Sequence, residues 1–177
     1  MKRKNGEKQN DNLVLERINE IRNALNLELY DSALALALTL PDICGKVEYP
    51  REQSSKKRYT DWFINFAEPF FTANTIILPG NQHADYIWLT AMECWALRCS
   101  VLHAGNYDVE GVSLKQVRLH AHLRNGENYS HTVRDSQHAD WDVICLCNTL
   151  CDAVIKYYDN IDDRSRFAVD AVKLYTW

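Results

Sequence analysis

In NLVLERINEIRNALNLEL, Leu13, Ile18, Ile21 and Leu25 fall on one helical face with the charged residues opposite, which predicts an amphipathic helix over residues 12–26. The next stretch, YDSALALALTLPDICG, is almost wholly apolar. Leu34, Leu36, Leu38 and Leu40 alternate as in a strand, but the alanines between them favour a buried helix. Asp31 or Ser32 would be its N-cap, and Pro41 and Gly45 would close it. After the polar break PREQSSKKR, Ser54 or Ser55 opens a further helix that runs to about Ala67 and is stopped by Pro69. TANTIILPGNQHA reads as a connecting loop marked by Pro79-Gly80.

Thr90 and Glu93 have the spacing of a capping box, and Gly105 suits the position just past a helix end, so residues 91–104 are predicted helical. In KQVRLHAHLRNGENYSHTVRD, Val117, Leu119, Ala121 and Leu123 alternate with Arg118, His120, His122 and Arg124. Asn125-Gly126 is a hairpin turn signal, which predicts a β-hairpin over about 116–134. HADWDVICLCNTLCDAVIKYYDN reads as the last long helix and RSRFAVDAVKLY as a short closing one. The expected fold is all-α: a helical bundle of about five or six helices with one inserted β-hairpin. Residues 1–10 are expected to be a disordered basic tail, and residues 11–177 one domain.

Composition narrows the function classes. The 177 residues are 46% hydrophobic and include 5 Trp, 9 Tyr and 5 Phe, which is a globular and not a disordered composition. A net charge of −4 disfavours a tight non-specific binder of duplex DNA, while leaving room for a local basic site on a short RNA. No apolar stretch follows MKRKNGEKQND as in a signal peptide, and no apolar run approaches a membrane span, so a cytoplasmic location is expected. The six cysteines form no C-x2-C pair; Cys145, Cys147 and Cys151, like Cys94 and Cys99, sit at helical spacing among apolar residues and read as small core side chains.

The candidate chemistry lies in CWALRCSVLHAG. At about 100° per residue the helix is apolar almost all round, with Glu93 and Ser100 as its polar strip, which predicts a central position. Glu93 is accounted for by the capping box. Arg98 and His103 fall inside the apolar arc. A guanidinium in such a place needs a partner, and Asp31, Asp42 and Asp142 are the candidates. His103, in the last turn, would be favoured there by the helix C-terminus.

The R-x4-H spacing of RCSVLH, at the end of an interior helix of a small helical protein, resembles the motif of the HEPN superfamily. ALALTLPDICGKVEYP, CWALRCSVLHAG and DWDVICLCNTLCDAVIKYY together resemble a group of small uncharacterised bacterial HEPN-like proteins, over roughly residues 12–158. Arg124…His131 also has a permitted spacing, but it crosses the hairpin and does not end a helix. The resemblance implies a homodimer built around the motif helix, with two Arg–His pairs in one cleft. It further implies a ribonuclease needing neither metal nor cofactor, acting in toxin–antitoxin or anti-phage defence with an antitoxin-like protein partner. Arg98 would hold the phosphate, and His103 would act as general base or acid on the 2′-hydroxyl of an RNA. Cys99 stands where active members frequently carry a polar residue, which suits instead the non-cleaving members that bind nucleotides or proteins.

The hairpin supplies a second constellation. His120 and His122 share a strand face, and either hairpin register would set His131 beside them. Arg118 and Arg124 on the same side oppose a metal cation, so no metal is expected; the face reads as solvated, or as one that contacts phosphate.

Overall fold

The computed structural model describes residues 13–78, 82–107, 109, 111–121, 133–134 and 137–167, with the backbone alone at 73–78, 82–85 and 133–134. The chain is mainly helical. Helix α1, Leu13–Asn26, buries Val14, Ile18, Ile21 and Ala24, the amphipathic face read from the sequence.

The apolar stretch that follows is two helices, not one: α2, Tyr30–Ala37, and α3, Leu40–Glu48. Pro41 explains the break. It has no N–H to donate to the Ala37 carbonyl and its ring would collide with that carbonyl, so α2 stops at Ala37 and Pro41 sits in the first turn of α3. Pro41 therefore opens a helix where it was expected to close one, and neither Asp31 nor Ser32 caps α2, whose N-cap is Leu29. Gly45 lies inside α3, where a Cβ would stand 2.6 Å from the Arg58 carbonyl oxygen. Its missing side chain lets α3 and α4 touch backbone to backbone.

Helix α4, Ser55–Trp62, is capped by the Ser54 hydroxyl accepting from the Lys57 N–H at 3.2 Å. It continues as a π turn, Phe63–Ala67, and a 3-10 turn, Glu68–Phe71, with Pro69 as its second residue. The expected connecting loop is instead an antiparallel hairpin of β1, Thr72–Leu78, and β2, Gln82–Ile87. The β-branched run Thr75-Ile76-Ile77 is strand-forming, and in the sequence the turn signal Pro79-Gly80 lies between the two strands.

Helix α5, Ala91–Cys99, begins with the capping box of Thr90 and Glu93 and runs into a π turn, Ser100–Ala104, ended by Gly105 in the left-handed region at φ 65°. Strand β3, Gln116–His120, is followed by β4, Val133–Arg134, and β5, His138–Asp142. Residues 122–132 of the predicted hairpin lie outside the described residues, and β3 and β4 do not pair with each other: β5 lies between them, parallel to β3 and antiparallel to β4. Residues 138–142, read as the start of the last helix, belong to that strand. Ala139 and Trp141 point inward while His138 is exposed, which is the period of a strand. Helix α6, Val143–Asn160, starts at Asp142, whose carboxylate accepts from the backbone N–H of Ile144 at 2.8 Å and Cys145 at 3.0 Å.

The centre of the molecule is α6, which buries nine side chains and packs on α1, α2, α3 and the π turn after α4. Helix α5 packs mainly on α4, and Met92 is exposed, so the motif helix lies toward an edge and not at the centre. Its apolar character all round comes from bordering a cleft. Cys44, Cys94, Cys147 and Cys151 are buried in the core; burial pushes the Cys94 thiol up to about 12, so it stays protonated. Among the described residues no helix is long and apolar enough to cross a membrane.

Candidate functional site

The widened end of α5 decides whether Arg98 and His103 can meet. In an ideal α-helix, residues five apart stand about 140° apart around the axis. Here the Gly105 N–H bonds the Ser100 carbonyl, five residues back, and each residue of this π turn rotates less than in an α-helix. The turn thereby swings His103 back beside Arg98. Arg98 Nη1 lies 2.6 Å from His103 Nε2. A guanidinium only donates, so in this contact Nε2 is the accepting atom.

Arg98 is held from three sides. Its Nε donates to Asp42 Oδ2 on α3 at 2.9 Å. Its Cζ sits over the Trp95 ring, 5.2 Å from the centroid, a cation–π contact. On its remaining side, Nη1 meets the His103 ring. Trp95 is in turn met edge-on by Tyr59 at 5.2 Å, and the Tyr59 hydroxyl reaches the Leu38 carbonyl at 3.3 Å and Cys94 Sγ at 3.2 Å. Beyond Gly105, the Tyr107 hydroxyl donates to Asp31 on α2. The end of the motif helix is thus tied to α3 through Asp42 and to α2 through Asp31. Of the three acidic candidates for Arg98, Asp42 is the partner.

The pair is half-buried, with the Arg98 and Asp42 side chains 19% and 26% exposed, while His103 is exposed. Burial pushes the Asp42 carboxyl up, and the charge and hydrogen bond of Arg98 only partly pull it back. For Arg98, burial works against the cation, but the Asp42 carboxylate outweighs it and the net movement is upward. Arg98 is therefore a cation at any physiological pH, and the contact to Asp42 gives way in acid earlier than an exposed aspartate would. Asp42→Ala is expected to lower stability by about 1–2 kcal/mol in urea unfolding. That is less than the roughly 3–5 kcal/mol for breaking a fully buried pair, because both groups keep some water. A change below about 0.3 kcal/mol would mean that the two groups do not hold each other.

A cleft of about 360 Å³ opens on the neighbouring stripe of α5, lined by Trp95, Cys99, Ser100 and Asn106, with Lys56 from the first turn of α4. Trp95 belongs to both places. This cleft was not read from the sequence, which named Asp42 only as one of three candidate partners; the nearly all-round apolar character of α5 was taken for centrality.

The structure places the hairpin candidates elsewhere. Arg118 Nη2 is 3.1 Å from Asp140 Oδ2, and His120 Nδ1 is 3.8 Å from Asp140 Oδ1. Both line a second cleft of about 590 Å³ with Tyr30, Asp31 and Tyr107. The expected face of unopposed cations thus carries a carboxylate between its Arg and its His. His122, Arg124 and His131 lie outside the described residues. Among the described residues, no group of three or more His, Cys, Asp or Glu is arranged to hold a metal ion. No family model matches this chain, and no curated protein or solved structure is similar to it.

Proposed function

We propose that this chain is a metal-independent endoribonuclease of the HEPN type, acting on single-stranded RNA through Arg98 and His103 at the end of α5. The observation that carries the reading is the 2.6 Å contact between Arg98 Nη1 and Nε2 of the exposed His103 ring. In the free protein Arg98 covers the Nε2 lone pair. A phosphodiester is a stronger, charged acceptor for the same donor, so its arrival draws the guanidinium off the ring and frees Nε2.

His103 then takes the proton of the 2′-hydroxyl as O2′ bonds to phosphorus. The P–O5′ bond breaks, and the departing O5′ takes up a proton. Arg98 stabilises the charge that builds on the phosphoryl oxygens. Asp42 orients Arg98 and touches no reacting atom. A second copy of the chain apposed at this helix end would set two such pairs face to face. A protein partner covering the exposed His103 would silence the site, as an antitoxin does.

The purified protein, incubated in EDTA with a mixed-sequence single-stranded RNA, is expected to yield fragments ending in 2′,3′-cyclic phosphate. Intact RNA at stoichiometric protein would overturn the proposal. The ion pair from Asp42 favours a second reading, because it neutralises much of the charge Arg98 could bring to a transition state. In that reading the site binds a nucleotide or a protein without turnover, and RNA is retained uncleaved in fluorescence polarisation.

A further inference from the structure

Clefts of about 360, 510 and 590 Å³ on the described surface differ in the charge around them. The 510 Å³ cleft sets Glu48, Asp162 and Asp163 against Lys156 and Arg166, and the 590 Å³ cleft sets Asp31 and Asp140 against Arg118 and His120, so neither carries a net excess of positive charge from Lys, Arg, Asp and Glu. The 360 Å³ cleft beside α5 has no carboxylate among its described lining residues, and its charged member is Lys56. Among the described residues Lys56 forms no ion pair, whereas its neighbour Lys57 is engaged by Asp61 and Glu52. An anion is therefore repelled least, and attracted most, at this one cleft.

The wall of the cleft adds a planar requirement. Trp95 offers an indole that is only partly buried and is held in place by Tyr59 and Arg98. Its Nε1 donor has no partner among the described residues. Ser100 and Asn106 bring hydroxyl and amide groups of the kind that read a base edge. An aromatic platform, polar side chains and a cation at the rim form the combination that holds one nucleotide of a single strand. The volume lies at the small end of the roughly 300–1,000 Å³ usual for small-molecule sites, which suits one base rather than two.

We propose that the cleft lined by Trp95, Ser100, Asn106 and Lys56 is a nucleotide subsite, in which a base stacks on Trp95 and its phosphate meets Lys56. The inference rests on the reading of Arg98 and His103 as an RNA site and deepens it. Because Trp95 borders both the cleft and Arg98, a base in the cleft and a phosphodiester at Arg98 are neighbours along one strand. The subsite would then choose which bond is cut: the one next to the stacked base.

The test uses adenosine 5′-monophosphate, which has no internucleotide bond to cleave, titrated calorimetrically into the full chain. Lys56→Ala removes the rim cation from an exposed position, and Ala104→Trp fills the cleft from its exposed end. Trp95 is left in place because it also carries Arg98. The parent protein is expected to bind. Lys56→Ala should weaken binding roughly five- to tenfold, and Ala104→Trp by more than about tenfold, the equivalent of one stacked base. Circular dichroism of both variants should match the parent. No binding by the parent, or equal binding by parent and folded variants, would overturn the subsite. The two proposals fail separately. RNA cleaved with unchanged nucleotide binding in the variants removes the subsite alone, and cleft-dependent nucleotide binding with uncut RNA removes the ribonuclease alone.

Discussion

His103→Ala is expected to lower the rate of RNA cleavage by about 10²–10⁴-fold, the usual worth of a positioned general base or acid. The fold should not notice. His103 is exposed at the end of the π turn and its described side-chain contact is to Arg98, so unfolding free energy should move by no more than about 0.5 kcal/mol. The two readouts together separate chemistry from damage: a rate loss with an unchanged urea midpoint assigns the proton transfer to the ring. Arg98→Lys makes a companion measurement. A lysine keeps the charge but cannot donate to Asp42 and a phosphate through one rigid planar group, so cleavage should fall while RNA retention persists. A His103→Ala protein that cuts RNA at the parent rate would remove His103 from the mechanism. The pair would then be an anchor for the helix end.

Trp141→Ala carries the largest expected stability effect, a loss of about 3–5 kcal/mol. Set against the roughly 5–15 kcal/mol that holds a domain of this kind together, such a loss leaves little reserve. Trp141 on β5 is fully buried, and its Nε1 donates to the Trp88 carbonyl at 2.9 Å. The ring thereby joins the segment ahead of α5 to the strand that leads into α6. Truncation would empty a large volume and strip that carbonyl of its donor at once. Trp141→Phe keeps most of the ring and loses the hydrogen bond, so it should cost less, about 1–2 kcal/mol. Urea unfolding of the two variants checks both. If Trp141→Ala loses under about 1 kcal/mol, β5 is not packed as described here.

Local signals served the sequence reading at several helix ends, although Asp31 and Ser32 do not cap α2 and Pro41 opens a helix it was expected to close. The Thr90–Glu93 box marked one helix start, and Ser54, one of two serines considered, caps another, because a side chain three residues away reaches the free backbone groups. Gly105 marked a helix end because a residue at φ 65° strains any side chain. The 3.6-residue period of α1 showed which face it buries. The reading went astray where the deciding partner was distant. Residues 72–78 and 82–87 are strands because each finds the other, whereas the stretch was read as a loop from the Pro79-Gly80 signal in the sequence. His138–Asp142 is a strand because it finds β3 on one side and β4 on the other, neither adjacent in the chain.

The candidate site divides along the same line. Sequence alone singled out Arg98 and His103, because a cation among apolar positions demands an explanation, and it narrowed the partner to three aspartates. It assumed an α-helical wheel, on which the two side chains point well apart; the π turn that unites them was not legible from composition or period. That Asp42 and not Asp31 or Asp142 takes the guanidinium depends on how α3 lies against α4 and α5, with Gly45 permitting the close approach. Helical period, caps and apolar faces were determined by the chain itself, since they rest on interactions within a few residues. The edge position of α5, the cleft beside Trp95 and the choice of Asp42 were decided by the tertiary structure, since each depends on where segments far apart in the chain come to rest.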